Sequence, residues 1–108
     1  MAKPAVYNTE IDKEEIYVFD LEFANDEDVY QDVSTWEFNF TLKNKLGDVI
    51  WEIQNADFTR PFDYEIYFEK SVAEVGAVDD GNYTISLLAT NDEWTDNEIL
   101  IGTWSFQS

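Results

Sequence analysis

The chain has 108 residues, and its 24 acidic and 6 basic side chains give it a formal net charge of −18. This charge repels phosphate backbones and anionic lipids, which argues strongly against direct nucleic-acid binding and disfavours binding to anionic membranes. The chain has no cysteine and no histidine, which excludes disulfides, thiolate nucleophiles and the usual zinc ligand and general base.

The length and the apolar content predict one domain that spans residues 1–108. Hydrophobic residues make up 44% of the chain and aromatic residues 17%, so the chain is too apolar to be disordered. The N-terminal residues lack the apolar core of a secretion signal, and no apolar run reaches the roughly 20 residues of a membrane helix. We therefore expect a protein that is made and assembled in a cytoplasm.

Residues 1–10 are predicted to form an N-terminal arm or an edge strand, because the segment PAVYN can pair with a neighbouring strand or with another chain. A hydrophobic period of two follows and predicts a strand over residues 16–23. One face of this strand is aromatic, whereas Ile16 and Val18 lie on the opposite face. That opposite face is either exposed or covered by a partner, so Ile16 and Val18 are candidate contact residues.

The next two strands form a predicted hairpin. Residues 36–43 alternate between apolar and polar side chains, and Trp36 is the candidate for a buried core tryptophan. The segment KNKLGD is typical of a tight turn, in which Gly47 takes the positive φ. The returning strand covers residues 48–54.

A further strand is predicted over residues 62–70, after a proline that interrupts the pattern. Phe62 lies on its core face, whereas Tyr67 faces outward and is a third candidate contact residue. The segment SVAEVG that follows predicts a short helical turn.

The segment VDDGNYTISLLAT combines a turn with the start of a strand. Asp79 is predicted to cap the turn with its carboxylate, and Gly81 allows the chain to turn sharply. Tyr83 then begins the core face of the strand. This spacing resembles the tyrosine corner of immunoglobulin-like sandwiches, in which a tyrosine hydroxyl bonds the backbone upstream.

A last strand is predicted over residues 99–106. Six or seven short strands with hardly any helix predict an all-β fold. We therefore expect an antiparallel immunoglobulin-like β-sandwich of about seven strands.

Four segments resemble small β-sandwich proteins from the virions of tailed bacteriophages. AVYNTEIDKEEIYVFDLEF is similar to their lead-in and first core strand, and QDVSTWEFNFTLKNKLGD to their second strand and turn. SVAEVGAVDDGNYTISLLAT is similar to the segment before their Gly-x-Tyr step, and ILIGTWSF to their closing strand. The chain departs from these proteins in its acidity and in having Lys43 where they often have an arginine.

The resemblance implies a non-enzymatic virion structural protein that acts through protein–protein contacts in a symmetric, multi-copy assembly. The expected role is attachment or adaptor at the tail, baseplate or fibre, and the alternative is capsid decoration on the head. The implied partners are other virion proteins, and the implied location is the virion, assembled in the host cytoplasm.

Two loops carry further candidate sites. Trp94 stands in a polar loop, where it stacks on a sugar, anchors a protein interface or folds back over the end of the sandwich. A carbohydrate-binding module for host-surface glycans is therefore an alternative function. The acids at residues 26–28 and around Asp92 either hold calcium or are only solvated, and no other cofactor is expected.

The sequence bears on two more functions, hydrolysis and mimicry of DNA. A hydrolase needs two carboxylates held in a cleft, for which a 108-residue sandwich has little room, so catalysis is not expected. Mimicry of DNA needs carboxylates along one long surface, whereas the acids of this chain are spread over loops and outer faces. DNA mimicry is the third hypothesis.

Overall fold

The computed structural model describes residues 4–25 and 27–108 as eight strands, one short helix and one 3₁₀ turn. The strands are β1 (Ala5–Val6), β2 (Thr9–Asp12), β3 (Tyr17–Glu22), β4 (Glu37–Lys43), β5 (Val49–Ile53), β6 (Glu65–Lys70), β7 (Gly81–Thr90) and β8 (Asn97–Gln107). The helix is α1 (Val72–Gly76), and the 3₁₀ turn is Asn55–Asp57. Within these described ranges, no helix has the length and apolarity that crossing a membrane requires.

The described strands form two sheets. The larger sheet has the order β1–β8–β7–β4–β5, and β2 pairs with β8 beyond β1. The smaller sheet consists of β3 and β6. All pairs are antiparallel except those of β1 and β2 with β8, which are parallel. The predicted all-β, immunoglobulin-like sandwich is confirmed.

The core between the sheets is aromatic. Phe19 and Phe68 stack on the smaller sheet with their ring centroids 5.0 Å apart. Phe40 of the larger sheet lies 5.1 Å from Phe68 and 5.3 Å from Trp104. Offset and tilted ring pairs of this kind stabilise a core beyond the area they bury, and they hold the two sheets in register.

The fully buried tryptophan of this core is Trp104 of β8, so the prediction that Trp36 fills this place is wrong. Trp36 lies just before β4 and is only half-buried. The alternation along the sequence fits either residue, because Trp36 begins one run of inward aromatic side chains and Trp104 continues another. Trp104 is the central one because β8 lies between β7 and the N-terminal strands.

The strand predicted over residues 62–70 begins only at Glu65. Residues 61–64 form a bend, which the N–H of Glu65 closes by donating to the carbonyl oxygen of Phe62 at 3.1 Å. Phe62 is consequently 60% exposed and does not belong to the core. Glu65, which the alternation assigns to water, is only 7% exposed.

The tyrosine corner fixes the start of β7. The hydroxyl of Tyr83 donates to the backbone carbonyl oxygen of Asp79 at 2.6 Å. Gly81 has φ +147°, which a residue with a Cβ rarely adopts. The corner uses the backbone of Asp79 rather than its carboxylate, and it is the next carboxylate, Asp80, that accepts a hydrogen bond from Lys13 at 2.8 Å.

From residue 4 onward, the N-terminal segment is an edge strand of the sandwich and not a free arm. The N–H of Tyr7 donates to the carbonyl oxygen of Ile101 at 2.8 Å, and Trp104 Nε1 donates to the carbonyl oxygen of Tyr7 at 3.2 Å. Gly102 makes this approach possible, because a Cβ at that position would overlap the carbonyl oxygen of Tyr7. Residues 1–3 of the predicted arm lie outside the described residues.

Arg60 ties the loop after β5 to the loop before β4. Its guanidinium donates to the carbonyl oxygens of Val33 and Trp36 at 3.0 and 2.8 Å, and to Asn55 Oδ1 at 3.0 Å. The planar fork of arginine suits several acceptors at once. This contact positions Trp36 at the end of the sandwich.

Candidate binding surfaces

The outward side chains of β3 and β6 form one surface, which we call the β3–β6 face. Its members are Val18, Asp20, Glu22, Glu65, Tyr67 and Glu69. Val18 lies opposite Glu69 and Asp20 lies opposite Tyr67, so Val18 and Tyr67 are diagonal neighbours. Val18 is 42% exposed, and Ile16, directly before β3, is 52% exposed.

Three of the four predicted contact residues therefore lie near one another. The exposure predicted for Ile16 and Val18 is confirmed. Tyr67 is half-buried, and its hydroxyl donates to Glu69 Oε2 at 2.8 Å. This hydrogen bond, followed by burial, raises the pKa of Tyr67.

Carboxyl groups surround the apolar side chains of this face. Glu65 lies directly opposite Glu22, and such like-charge pairs across strands are destabilising. A hydrogen bond to Asp20 raises the pKa of Glu65 from 4.5 to about 7, and burial and the charges of Asp20 and Glu22 add to the effect. The face therefore holds excess negative charge, which a basic partner would relieve.

Trp94 lies apart from this face, in the loop between β7 and β8. Its ring packs edge-on against Trp36, with the centroids 5.3 Å apart at 72°. Its backbone N–H donates to Asn91 Oδ1 at 2.8 Å. Trp94 is half-buried, so of the three predicted arrangements the structure has the one in which it folds back over the end of the sandwich.

One side of the Trp36–Trp94 pair lines a shallow cleft. The polar lining of this cleft consists of Gln31, Thr35, Asn91, Asp92 and Glu93. Two indole rings beside amide and carboxylate side chains can stack on and hydrogen-bond a polyhydroxyl ligand.

The described residues of the two predicted calcium loops form no cation cage. Among the residues described, no three or more acidic side chains are arranged to hold a metal ion. Asp26, one of the acids proposed for such a site, lies outside the described residues. Calcium binding by these loops stays a prediction.

An exposed aromatic cluster, which the alternation in the sequence did not predict, lies at one end of the β3–β6 face. The rings of Tyr30 and Tyr64 lie 3.8 Å apart, and those of Phe62 and Tyr64 lie 5.3 Å apart. Tyr30 is 59% exposed and Phe62 is 60% exposed. Tyr64 directly precedes Glu65 of β6, so the cluster adjoins the acidic face. Burial, then the charges of Tyr30, Glu22 and Glu65, raise the pKa of Tyr64.

Comparisons with known proteins leave the family open. No protein-family model matches the chain, and no curated protein matches it. Among solved structures, the chain is similar to the fibronectin(III)-like modules of Clostridium thermocellum CbhA, with 17% identity and a TM-score of 0.35. The match covers 97% of this chain and 87% of that one. At these values the similarity carries no inference about function.

Proposed function

We propose that this chain is a non-enzymatic structural protein of a tailed-phage virion and that it acts by docking on other virion proteins through the β3–β6 face. Attachment or adaptor at the tail, baseplate or fibre is the leading role, and capsid decoration is the alternative. The phage assignment rests on the four sequence segments described above. The docking assignment rests on the surface of the molecule.

The observation that supports docking is the combination of Ile16 and Val18, both exposed, with Tyr67 and a border of carboxylates. Apolar side chains inside a polar rim are the usual anatomy of a protein interface. The net charge of −18 favours a basic partner surface, because complementary charge speeds association and rejects like-charged partners.

The experiment replaces both exposed apolar residues in the encoding phage with Ile16→Ser and Val18→Ser. We expect the double variant to be incorporated into particles at least tenfold less than the wild type, because the apolar contacts with the partner are lost. The unfolding free energy of the purified variant is expected to change by about 0.5 kcal/mol or less per substitution, since both side chains are exposed.

The matched control is Val49→Ser on β5, where a valine of similar exposure, 52%, belongs to the larger sheet and not to this face. This control is expected to be incorporated normally. Normal incorporation of the double variant would remove the β3–β6 face from the proposal, and loss of incorporation by the control would show that the assay reports stability instead.

A second candidate function, glycan binding, is favoured by the Trp36–Trp94 cleft. The expected result for Trp94→Ala is loss of binding to host-surface glycans on an array, because one stacking ring is removed. Asn91 anchors the loop, because its Oδ1 accepts from the N–H groups of Glu93 and Trp94. Asp92→Asn keeps this anchor and removes one carboxylate of the cleft, so it is expected to weaken glycan binding less than Trp94→Ala. Absence of any glycan binding by the wild type would end this alternative.

A further inference from the structure

The edge of β3 that faces away from β6 has no partner strand among the described residues. The N–H of Phe23 donates to the carbonyl oxygen of Tyr64 at 2.8 Å, so Phe23 is hydrogen-bonded toward β6. Tyr67, which lies opposite Asp20, instead exchanges both of its backbone hydrogen bonds with Thr59 on the other side of β6. Hydrogen-bonded pairs alternate along an antiparallel ladder. The backbone groups of Val18, Asp20 and Glu22 therefore point away from β6 and into the free edge.

An apolar groove opens directly beside this free edge. It lies between β3 and the N-terminal segment on β8, and it is lined by Tyr7, Tyr17, Leu21 and Leu100. The same groove continues past Ala5 and Phe23. Tyr17, Leu21 and Phe23 point into the sandwich yet remain half-exposed, because the smaller sheet has two strands and leaves this side of the core open.

Tyr17 carries an unsatisfied polar group in the groove. Its hydroxyl is buried and has no hydrogen-bond partner among the described residues. Burial is the main cause that raises the pKa of Tyr17, and the phenol of Tyr7 beside it adds to the effect. A buried hydroxyl without a partner costs stability.

We propose that the free edge of β3 is a strand-addition site for a β-segment of a basic partner protein, in which apolar residues alternate with Lys or Arg. The added strand pairs with the backbone of Val18, Asp20 and Glu22. Its apolar row enters the groove over Tyr17 and Leu21, and its basic row faces the carboxylates of Asp20 and Glu22. β3 has six residues, so the paired stretch is about 20 Å long.

Charge selects this occupant over a second copy of the chain. Pairing of two β3 edges would bring Asp20 and Glu22 against the same residues of the other copy, and like charges opposite each other are destabilising. The same carboxylates protect the edge against unspecific pairing, while they attract a basic strand. This inference deepens the proposed function, because it names the partner chemistry and the mode of docking at the β3–β6 face.

The probe that tests the site is a capped octapeptide in which valine and lysine alternate. Binding is measured by the shifts of backbone amide resonances and by the protection of amides from hydrogen exchange. We expect at least tenfold slower exchange of the Val18, Asp20 and Glu22 amides in the bound state. A block peptide of four valines and four lysines, and an alternating peptide methylated on every second amide, are expected to bind at least tenfold more weakly.

Val18→Pro removes one edge N–H without touching the ladder to β6, and proline is tolerated at such edge positions. The affinity of Val18→Pro for the alternating peptide is expected to fall at least tenfold, whereas Val18→Thr, which keeps the N–H, stays within about threefold. If circular dichroism shows that Val18→Pro does not fold, the methylated peptide alone decides.

The strand-addition site would be overturned if the block or methylated peptide bound as tightly as the alternating peptide, or if Val18→Pro bound the alternating peptide as tightly as the wild type. Protection of β5 amides instead of β3 amides, or no binding at millimolar peptide, would also overturn it. A wild-type dimer in sedimentation that Val18→Pro makes monomeric would also overturn it, since the occupant would be a second copy.

The results distinguish failure of the strand-addition site from failure of the proposed function. If the peptide does not bind but the Ile16→Ser, Val18→Ser variant is lost from particles, docking on the face stands and strand addition falls. If the peptide binds as expected but the chain is absent from particles, the strand-addition site stands and the virion role falls.

Discussion

The hydroxyl of Tyr83 donates a 2.6 Å hydrogen bond to the carbonyl oxygen of Asp79 and so fixes the chain four residues upstream. Tyr83 also packs edge-on against Phe106 with the ring centroids 5.1 Å apart. One side chain therefore joins the turn before β7 to the last core position of β8. The corner stabilises the fold, and nothing in its geometry points to a ligand.

Replacement of Tyr83 by phenylalanine is expected to lower the unfolding free energy by about 1–3 kcal/mol, because a part-buried carbonyl oxygen loses its donor while the ring packing stays. Urea denaturation measures this change. Tyr30→Phe, at a tyrosine that is 59% exposed, is the matched control and is expected to have little effect. Equal effects of the two substitutions would contradict a stabilising corner.

Replacement of Gly102 by alanine is expected to push the N-terminal segment off β8, because the new Cβ overlaps the carbonyl oxygen of Tyr7. The expected loss is about 1–3 kcal/mol of unfolding free energy, typical of overpacking, together with faster hydrogen exchange of the Tyr7 amide. Gly76→Ala is the control, since its Cβ would meet Lys13 O at an ordinary 3.6 Å. Unchanged exchange at Tyr7 in Gly102→Ala would show that the segment does not need this approach.

The raised pKa of Glu65 predicts an unusual pH dependence of stability. The folded state holds the proton up to about pH 7, whereas an ordinary glutamate releases it near 4.5. The stabilisation from this proton is therefore complete below about pH 4.5 and is lost as the pH rises through 7. We expect the wild type to lose stability between pH 5 and pH 8 relative to Glu65→Gln.

Urea denaturation at pH 5, 6, 7 and 8 measures the difference between wild type and Glu65→Gln. Glu52→Gln, on the exposed side of β5, removes one negative charge from the other sheet and serves as the control. A difference between wild type and Glu65→Gln that stays constant over this range would contradict the raised pKa of Glu65.

Replacement of Arg60 by lysine is expected to cost roughly 1.5–3 kcal/mol, because an ammonium group cannot reach all three acceptors that the guanidinium serves. The acceptors lie on Val33, Trp36 and Asn55. Thermal denaturation measures the loss. The control is the opposite exchange in an exposed turn, Lys45→Arg, which is expected to leave the melting temperature unchanged. A melting temperature unchanged by Arg60→Lys would mean that the loops before β4 and after β5 hold without the guanidinium.

Local patterns in the sequence predicted the parts of the fold that depend on neighbouring residues. The period of two located the inward rows of β4 and β7, and Asp79, Gly81 and Tyr83 located the corner. Ser71 and Glu74 form a capping box at the start of α1, where the sequence predicted a helical turn. Gly47 takes φ +87° in the predicted hairpin.

The parts that depend on distant residues were not predictable from these patterns. Alternation assigned Glu65 to water, but burial and the hydrogen bond to Asp20 come from another strand. The clamp of Arg60 joins loops 24 to 27 residues away. The groove beside β3 exists because the N-terminal strand pairs with β8 instead of β3. The sequence of the N-terminal segment does not indicate which of these two strands it pairs with.

The virion role is tested by the copy number of this chain in purified particles of the encoding phage, measured by quantitative mass spectrometry. We expect a fixed number of copies, from a few to a few tens for a tail, baseplate or fibre protein, because these structures have few equivalent sites. Hundreds of copies would assign the chain to the capsid as a decoration protein. Complete absence from the particle would contradict the virion role.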